Sequence, residues 1–222
     1  NVILKKKTKN YTIKKIKDLP DQNFLPWHSL DVMKKKIKNK SFSHFMYLEE
    51  DILVNENNIS YWIYFRKKLK KFNLIPNFLR CELYKGKYFS VDNPKIIKKD
   101  KNPVIYSKNK RYGFINSKYP YSGMYLMDRD LLSNYLKSNA TKIDFSFTNR
   151  VMKTLYPIKE LVNISYAYLN VPEKYHNKLA IPFKDNTILK YCIIEHADLK
   201  YIKHKELNKM GYGLIEVKNL IS

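Results

Sequence analysis

Three consecutive acids follow a short apolar segment in the first quarter of the chain. Residues 45–48 read Phe-Met-Tyr-Leu, and Glu49, Glu50 and Asp51 come directly after them. Like charges at the end of a buried strand repel one another and need a compensating cation. Mg²⁺ or Mn²⁺ meets that need, because such ions take carboxylate oxygens and bridge them to substrate phosphates. An acidic surface turn is the other interpretation, and the spacing alone does not decide between the two.

The elements around the acids set their position. The apolar segment is continuous rather than alternating, which predicts a buried strand, and ligands bind at the carboxyl ends of strands in open α/β sheets. A helix with apolar residues at spacings of three and four is predicted from Ser29 onwards. The clearest helix is predicted over residues 56–72, with Asn58 as its N-cap and Arg66 on its solvated face.

Further strands and helices are predicted along the rest of the chain. Strands are predicted over residues 2–4, 78–84, 88–91, 104–106, 164–171 and 188–194. An apolar run at residues 123–127 precedes a helix that begins at Asp128, and another helix is predicted over residues 149–162. Because no repeat or linker-like composition divides residues 1–222, one α/β domain is expected.

The composition is that of a packed domain. With 44% hydrophobic and 14% aromatic residues and only 5 glycines, the chain does not have the composition of a disordered protein. No stretch approaches the roughly 18 consecutive apolar residues of a membrane-spanning helix, and no signal peptide is visible. Cys81 and Cys192 each lie in an apolar run, so buried, reduced thiols in a cytosolic protein are expected.

The net charge of +23 suggests a nucleic-acid partner, but the kind of basic residue argues against one. Only five of the 43 basic residues are arginines, and the lysines are scattered through the whole chain. Arginine is the residue that best recognises bases and phosphates. No specific nucleic acid is therefore expected, although the positive charge favours anionic substrates such as nucleotide sugars, or an anionic membrane surface.

Tyr-Leu-Glu-Glu-Asp-Ile at residues 47–52 resembles the signature of GT-A glycosyltransferases, in which a hydrophobic strand ends in a DxD motif. It is most similar to a bacterial group of GT-A-like proteins with a Tyr-Leu-Glu-Asp-Asp-Ile segment. Blocks similar to that group follow in order at Tyr61-Trp62, residues 74–82, residues 120–125 and residues 196–201. There are two departures: Glu50 replaces an Asp, and the last block lacks a Pro-Asn pair.

The resemblance implies a fold and an activity. The fold is a GT-A-like mixed sheet flanked by helices, in which the N-terminal strand–helix unit that helps to bind the nucleotide base is incomplete. The activity is that of a cytoplasmic enzyme, peripheral at the inner face of the membrane. It moves a sugar from a nucleotide-sugar donor to the hydroxyl of a glycan or lipid-linked acceptor with Mn²⁺ or Mg²⁺.

The resemblance also implies roles for particular residues at the donor site. Asp51 would bind the cation that bridges the diphosphate, and Glu49 would share that cation or face the donor ribose. Glu50 would help to hold the donor. His196 would be a late metal ligand or a diphosphate contact.

A carboxylate must accept the proton of the acceptor hydroxyl, and Asp128 and Glu82 are the candidates. Asp128 begins a helix after the Gly123 block, where GT-A enzymes often bind the acceptor; a simple N-cap is its other interpretation. Glu82 lies on a predicted strand with Arg80, and an ordinary ion pair between the two is the alternative.

Residues with aromatic or polar side chains are predicted to line the substrate pockets. Trp27 and His28 precede the acid strand and could line the donor pocket, whereas a core Trp and a surface His are the favoured interpretation. Arg80, Tyr121 and Tyr125 are predicted to contact the acceptor, the tyrosines by stacking on a sugar ring.

Two other functions are consistent with the sequence. A metal-dependent phosphohydrolase or nuclease would use the same carboxylates on a phosphodiester, and it would need a second metal with further acids from other strands. A basic nucleic-acid-binding module would bind in a strongly salt-dependent way that does not depend on Asp51.

Overall fold

The computed structural model describes residues 25–92, 95–96, 105–107, 110–116, 123–138, 141 and 178–221. The strands predicted over residues 2–4 and 164–171 and the helix predicted over residues 149–162 lie outside this part of the chain. So do Tyr121 and the side chain of Trp27.

The described residues form five α-helices and eleven short strands. The helices are α1 Leu25–Lys36, α2 Glu56–Leu69, α3 Arg129–Lys137, α4 Lys200–Lys203 and α5 Lys205–Lys209. The strands are β1 His44–Leu48, β2 Ile52–Leu53, β3 Ile75–Pro76, β4 Leu79–Tyr84, β5 Lys87–Ser90, β6 Ile105–Ser107, β7 Lys110–Asn116, β8 Met124–Asp128, β9 Leu179–Lys184, β10 Thr187–Ile188 and β11 Ile193–His196. Short 3-10 turns cover Lys70–Phe72, Lys190–Cys192 and Val217–Asn219. Among these residues, no helix has the length and apolar character that crossing a bilayer requires.

The strands form one ladder and two larger sheets. The ladder joins β1 to β8 in antiparallel pairing. One sheet has the order β2-β11-β4-β5, in which β11 and β4 are parallel and the other neighbours are antiparallel. The other sheet has the order β10-β9-β7-β6, and β3 pairs with β9 in parallel. The described residues therefore form a mixed α/β fold, in agreement with the α/β class predicted from the sequence.

Helix α2 supplies the centre of the core. Its inner face carries Trp62, Phe65 and Leu69, which are buried in the main hydrophobic cluster. Its N-cap is Asn55, whose side chain accepts hydrogen bonds from the N–H groups at positions 57 and 58, while the Asn58 side chain accepts from the Asn55 N–H at 2.9 Å. The prediction of Asn58 as the N-cap is therefore wrong by three residues, because Asn58 is the second partner of a capping box.

Arg66 also departs from its prediction. It was expected on the solvated face of α2, but it is only 6% exposed. Its Nε donates to Asp128 Oδ2 at 2.7 Å, and this pairing compensates the buried charge. Arg66 follows Trp62 by four residues and precedes Leu69 by three, so helical spacing places it at the edge of the apolar face of α2, where Asp128 meets it.

Strand β1 lies where the sequence predicts it, but the prediction of continuous burial is wrong. Phe45 is buried against Met33 and Leu132, whereas Met46 and Leu48 are 43% and 40% exposed. Side chains alternate between the two faces of a strand. The described elements cover one face of β1 and leave the other open.

The predicted strand over residues 188–194 is interrupted. Ile188 ends β10, the next residues form the 3-10 turn Lys190–Cys192, and β11 begins at Ile193. Cys192 in that turn and Cys81 on β4 are both buried free thiols, as predicted, and burial raises the pKa of each.

Candidate active site

The acid triplet lies in the turn between β1 and β2. The backbone N–H of Glu49 donates to the Gly123 carbonyl at 2.9 Å and extends the β1–β8 ladder. Two residues later, the carbonyl of Asp51 accepts from the Ala197 N–H at 2.9 Å and extends the pairing of β2 with β11. The triplet therefore connects the β1–β8 ladder to the sheet that carries His196.

Gly123 makes room for the triplet. Its φ is +67°, in the left-handed region that residues with a side chain rarely adopt. A Cβ atom at this position would lie 2.6 Å from Cγ1 of Ile52 and 3.0 Å from Oε2 of Glu49. Both the backbone conformation and the available space therefore require glycine here, and the Glu49 carboxylate packs directly against it.

His196 brings the remaining groups of the site together. It is paired in register with Ile52 across β2 and β11 and is 3% exposed. Its Nε2 lies 3.1 Å from Asp51 Oδ2, and its Nδ1 lies 2.9 Å from Glu82 Oε1. The fold therefore places Asp51 and His196, both predicted as metal ligands, side by side, and it holds the imidazole between two carboxylates.

Glu82 is fully enclosed, with 0% exposure. Besides His196, its carboxylate accepts from the N–H of Tyr201 at 2.9 Å and from the N–H of Ile202 at 2.8 Å, both in the first turn of α4. Burial acts to raise the pKa of Glu82, but the hydrogen bonds from His196 and the two N–H groups outweigh it and lower that pKa. Since the carboxylate is committed to these donors, the geometry favours a role in orienting His196 over the predicted role as a base.

One oxygen of Asp51 has no hydrogen-bond partner among the described residues. The side chain as a whole is 41% exposed, yet Oδ1 is shielded from solvent and receives no hydrogen bond within the described residues. Leaving such an atom unsatisfied costs about 1–3 kcal/mol. When Nδ1 of His196 carries the proton and donates to Glu82, Nε2 directs a lone pair towards Asp51. A cation bound by Asp51 and His196 would satisfy both Asp51 Oδ1 and His196 Nε2.

The donor set suits a divalent cation that is held together with a substrate phosphate. In the part of the chain that the structure describes, no group of three or more His, Cys, Asp and Glu side chains is arranged to hold a metal ion by itself. Asp51 and His196 supply one oxygen and one nitrogen. Mg²⁺ and similar ions are often held by one or two protein ligands, with phosphates completing the coordination. An ion held by this pair would need further ligands, which the oxygens of a diphosphate can supply.

A second ion pair, which the sequence analysis did not identify, lies behind Glu82. Arg80, 3% exposed, donates to both oxygens of Asp92 at 2.6 and 3.2 Å and to the Tyr201 hydroxyl at 3.1 Å. Burial raises the pKa of Asp92, and the Arg80 charge partly offsets that rise. Buried and paired in this way, Arg80 is better placed to support α4 than to contact an acceptor.

Asp128, the other predicted base, lies at the far end of the β1–β8 ladder from the acids. It is four residues along β8 from Met124, the partner of Leu48, which corresponds to roughly 13 Å. Its Oδ1 accepts from the Leu131 N–H at 2.7 Å and caps α3, and its Oδ2 accepts from Arg66. This geometry favours the N-cap interpretation.

Tyr125, predicted to bind the acceptor, faces α1. Its hydroxyl lies 3.0 Å from the Ser29 hydroxyl, and its ring stacks on Tyr47 with centroids 5.5 Å apart. Burial raises the pKa of Tyr125 to about 12. Burial is the largest cause that raises the pKa of Tyr47 as well, and the charges of the acid triplet, Glu49 first, add to it. These contacts favour a structural role for Tyr125.

Two further predicted donor-site residues, Glu50 and His28, are exposed and half-buried, respectively. Glu50 is exposed and lies between Glu49 and Asp51, the two acids whose contacts are described above. His28, which is 26% exposed, lies in α1 with Nδ1 3.7 Å from Asp31 Oδ2. For both residues the predicted contact with a donor stays a prediction.

Two residues of the site were missed from the sequence. Tyr201, whose N–H and ring support Glu82 and Arg80, closes the last block of the resemblance, so its position there was a usable signal. Asp92 offers no comparable signal, because it is a single acid after a short strand. No protein family, curated protein or solved structure matches this chain.

Proposed function

We propose that this chain is a glycosyltransferase of the GT-A type, which moves a sugar from a nucleotide-sugar donor to the hydroxyl of a glycan or lipid-linked acceptor with Mn²⁺ or Mg²⁺. The proposal rests on the contact between Asp51 and His196, beside an Asp51 oxygen that no other described residue contacts by a hydrogen bond. Both are positions that the resemblance implies for the cation, and they meet although 145 residues separate them.

The surrounding contacts support a division of tasks. Asp51 and His196 would hold the cation, and Glu82 would keep the His196 ring in the orientation and tautomer that this requires. Glu49, held against Gly123, would face the donor. When bound, the cation would offset the negative charge that develops on the leaving nucleoside diphosphate.

The charge of the chain is consistent with these substrates. A net charge of +23 raises the local concentration of anionic nucleotide sugars. It also favours approach to an anionic membrane surface, where lipid-linked acceptors are found.

Donor binding tests the proposal. Calorimetric titration of UDP and GDP in the presence of Mn²⁺ is expected to show binding that EDTA abolishes. Asp51→Ala should weaken it by at least about 100-fold, since an effect of 10- to 100-fold is typical even for residues that only support a metal ligand. Asp185→Ala, at a carboxylate that is 83% exposed in the β9–β10 turn, is the matched control.

Turnover gives a second measurement. Release of UDP or GDP from nucleotide sugars should require Mn²⁺ or Mg²⁺ and should be lost in Asp51→Ala. If Asp51→Ala binds both nucleotides with Mn²⁺ as tightly as the parent, the site assignment is wrong. Cleavage of a simple phosphodiester at a comparable rate would instead support a phosphohydrolase.

A further inference from the structure

A cavity of about 550 Å³ lies between the start of α2 and the edge strand β2. Its walls come from the first turn of α2, from β2 and β11, and from the 3-10 turn Lys190–Cys192. A volume of this size is in the range of small-molecule sites, which is roughly 300–1,000 Å³. The cavity is therefore large enough for one or two sugar rings.

This cavity lies on the opposite face of the sheet from the candidate active site. Successive side chains of a strand point to opposite faces, and cross-strand partners share a face. His196 pairs with the buried Ile52, whereas Glu195 pairs with Leu53, which is 55% exposed. Since Glu195 and Leu53 line the cavity, it is separate from the site of Asp51 and His196.

Buried hydrogen bonds hold the cavity wall in place. The amide of Asn58, only 2% exposed, donates to the carbonyls of Tyr191 and Ile193 at 2.9 and 2.8 Å. These bonds attach the turn that carries Tyr191 to the first turn of α2. Asn55 already accepts hydrogen bonds from N–H groups at the start of α2, so the N-terminus of the helix is not the proposed ligand site.

The lining combines aromatic rings with polar groups. Tyr191 is 56% exposed, and Tyr88 is half-buried with a pKa raised by burial and by the nearby Glu195 charge. Within the described residues, the Tyr88 and Tyr191 hydroxyls, the Glu195 carboxylate and the Lys190 ammonium make no hydrogen bond or ion pair. Hydroxyls and lysine donate and a carboxylate accepts, so the cavity offers both kinds of hydrogen bond beside apolar ring faces.

We infer that this cavity is a saccharide-binding site, distinct from the proposed transferase centre and independent of its cation. A sugar ring carries hydroxyls that both donate and accept hydrogen bonds around its rim, and C–H groups on its faces. Glu195 and Lys190 can form hydrogen bonds with the hydroxyls at the rim of the sugar. The exposed ring of Tyr191 can pack against the C–H groups on one of its faces. Because hydrogen bonds already hold the cavity wall in place, less conformational entropy is lost when a ligand binds.

Ligand-observed NMR tests this inference on the full chain. Saturation transfer to maltose, lactose and N,N′-diacetylchitobiose at millimolar concentration is expected for at least one of the three sugars, without added Mn²⁺. Tyr191→Ala and Glu195→Gln should each reduce binding by about fivefold or more, as truncation of a contact that matters usually does. Leu214→Ala, at a large side chain that is 55% exposed and does not line the cavity, is the matched control.

The outcomes separate this site from the active site. Binding that persists in Asp51→Ala and is lost in Tyr191→Ala supports the inference, whatever becomes of the transferase proposal. The inference is overturned if none of the sugars receives saturation, if both cavity variants bind like the parent, or if uridine binds there and the sugars do not. Amide chemical-shift maps of both variants establish that they remain folded.

Discussion

Asp51 Oδ2 and His196 Nε2 lie 3.1 Å apart, although 145 residues separate them in the chain. Two ladder contacts produce this proximity: β2 pairs with β11, and the Ala197 N–H donates to the Asp51 carbonyl. The positions of both side chains thus follow from backbone pairing. The interaction of Glu82 with Nδ1 then determines the orientation of the ring.

Replacing Glu82 is expected to affect both stability and metal binding. In Glu82→Gln, the side-chain NH₂ group replaces an oxygen that accepts a hydrogen bond from a backbone N–H of α4. That buried N–H then has no acceptor, which lowers the free energy of unfolding by about 1–3 kcal/mol. Mn²⁺-dependent nucleotide binding should fall by about 10- to 100-fold, because a neutral amide no longer raises the basicity of His196 as a metal ligand.

Urea unfolding and calorimetry measure these two effects. Glu206→Gln is the matched control, since Glu206 is 68% exposed and pairs only with Lys209 within the described residues. If Glu82→Gln destabilises the fold but binds nucleotide and Mn²⁺ like the parent, Glu82 has a purely structural role.

Gly123→Ala should destabilise the protein more than Gly86→Ala. Both glycines have positive φ, +67° and +75°, so an added Cβ costs each about 1–2 kcal/mol in backbone strain. At Gly123 the Cβ also meets Ile52 at 2.6 Å, whereas at Gly86 nothing lies within 4 Å. Thermal or urea unfolding of the two variants measures the difference. Equal losses would show that the fold accommodates a side chain beside Glu49.

Asp128 and Asp130 should differ in their effect on stability. Asp128→Ala removes the cap of α3 and leaves the buried Arg66 without its carboxylate, at a cost of about 3 kcal/mol or more. Asp130→Ala breaks an exposed pair with Lys70 and should have no measurable effect. Urea unfolding compares them. Nucleotide binding by any folded Asp128→Ala protein should match the parent, and a selective loss of turnover would restore Asp128 as the catalytic base.

Tyr125 should make stability fall at alkaline pH. Its pKa is raised from about 10 to about 12 because the folded protein buries the neutral phenol. Between these values the unfolded chain loses the proton while the folded chain keeps it, so stability decreases as pH rises through this window. The contribution is about 1.4 kcal/mol per pH unit.

Urea unfolding of the parent and of Tyr125→Phe at pH 9.5, 10.5 and 11.5 measures that slope. The variant loses the contact with Ser29 at every pH, but its stability should fall less steeply between pH 10 and 12. Parallel curves would show that the Tyr125 hydroxyl is open to solvent.

Local patterns determine much of what can be read from the sequence alone. The apolar spacing in α2, the strand at β4 and the cap at Asp128 depend on residues within a few positions of one another, and each lies where it is predicted. The same holds for the acid triplet, since an apolar segment followed by acids can be recognised without knowing its neighbours. The proposed function begins from that local pattern.

Tertiary structure alone decides which side chains meet. Helical spacing puts the charged Arg66 at the edge of the apolar face of α2, and only the approach of β8 supplies Asp128 as its buried partner. Glu82 on its strand could serve as a base, and only the packing of α4 against it commits its oxygens to backbone N–H groups. Strand order, which periodicity does not encode, places His196 against Asp51. The residue types of the site are therefore a property of the sequence, and their roles depend on long-range pairing.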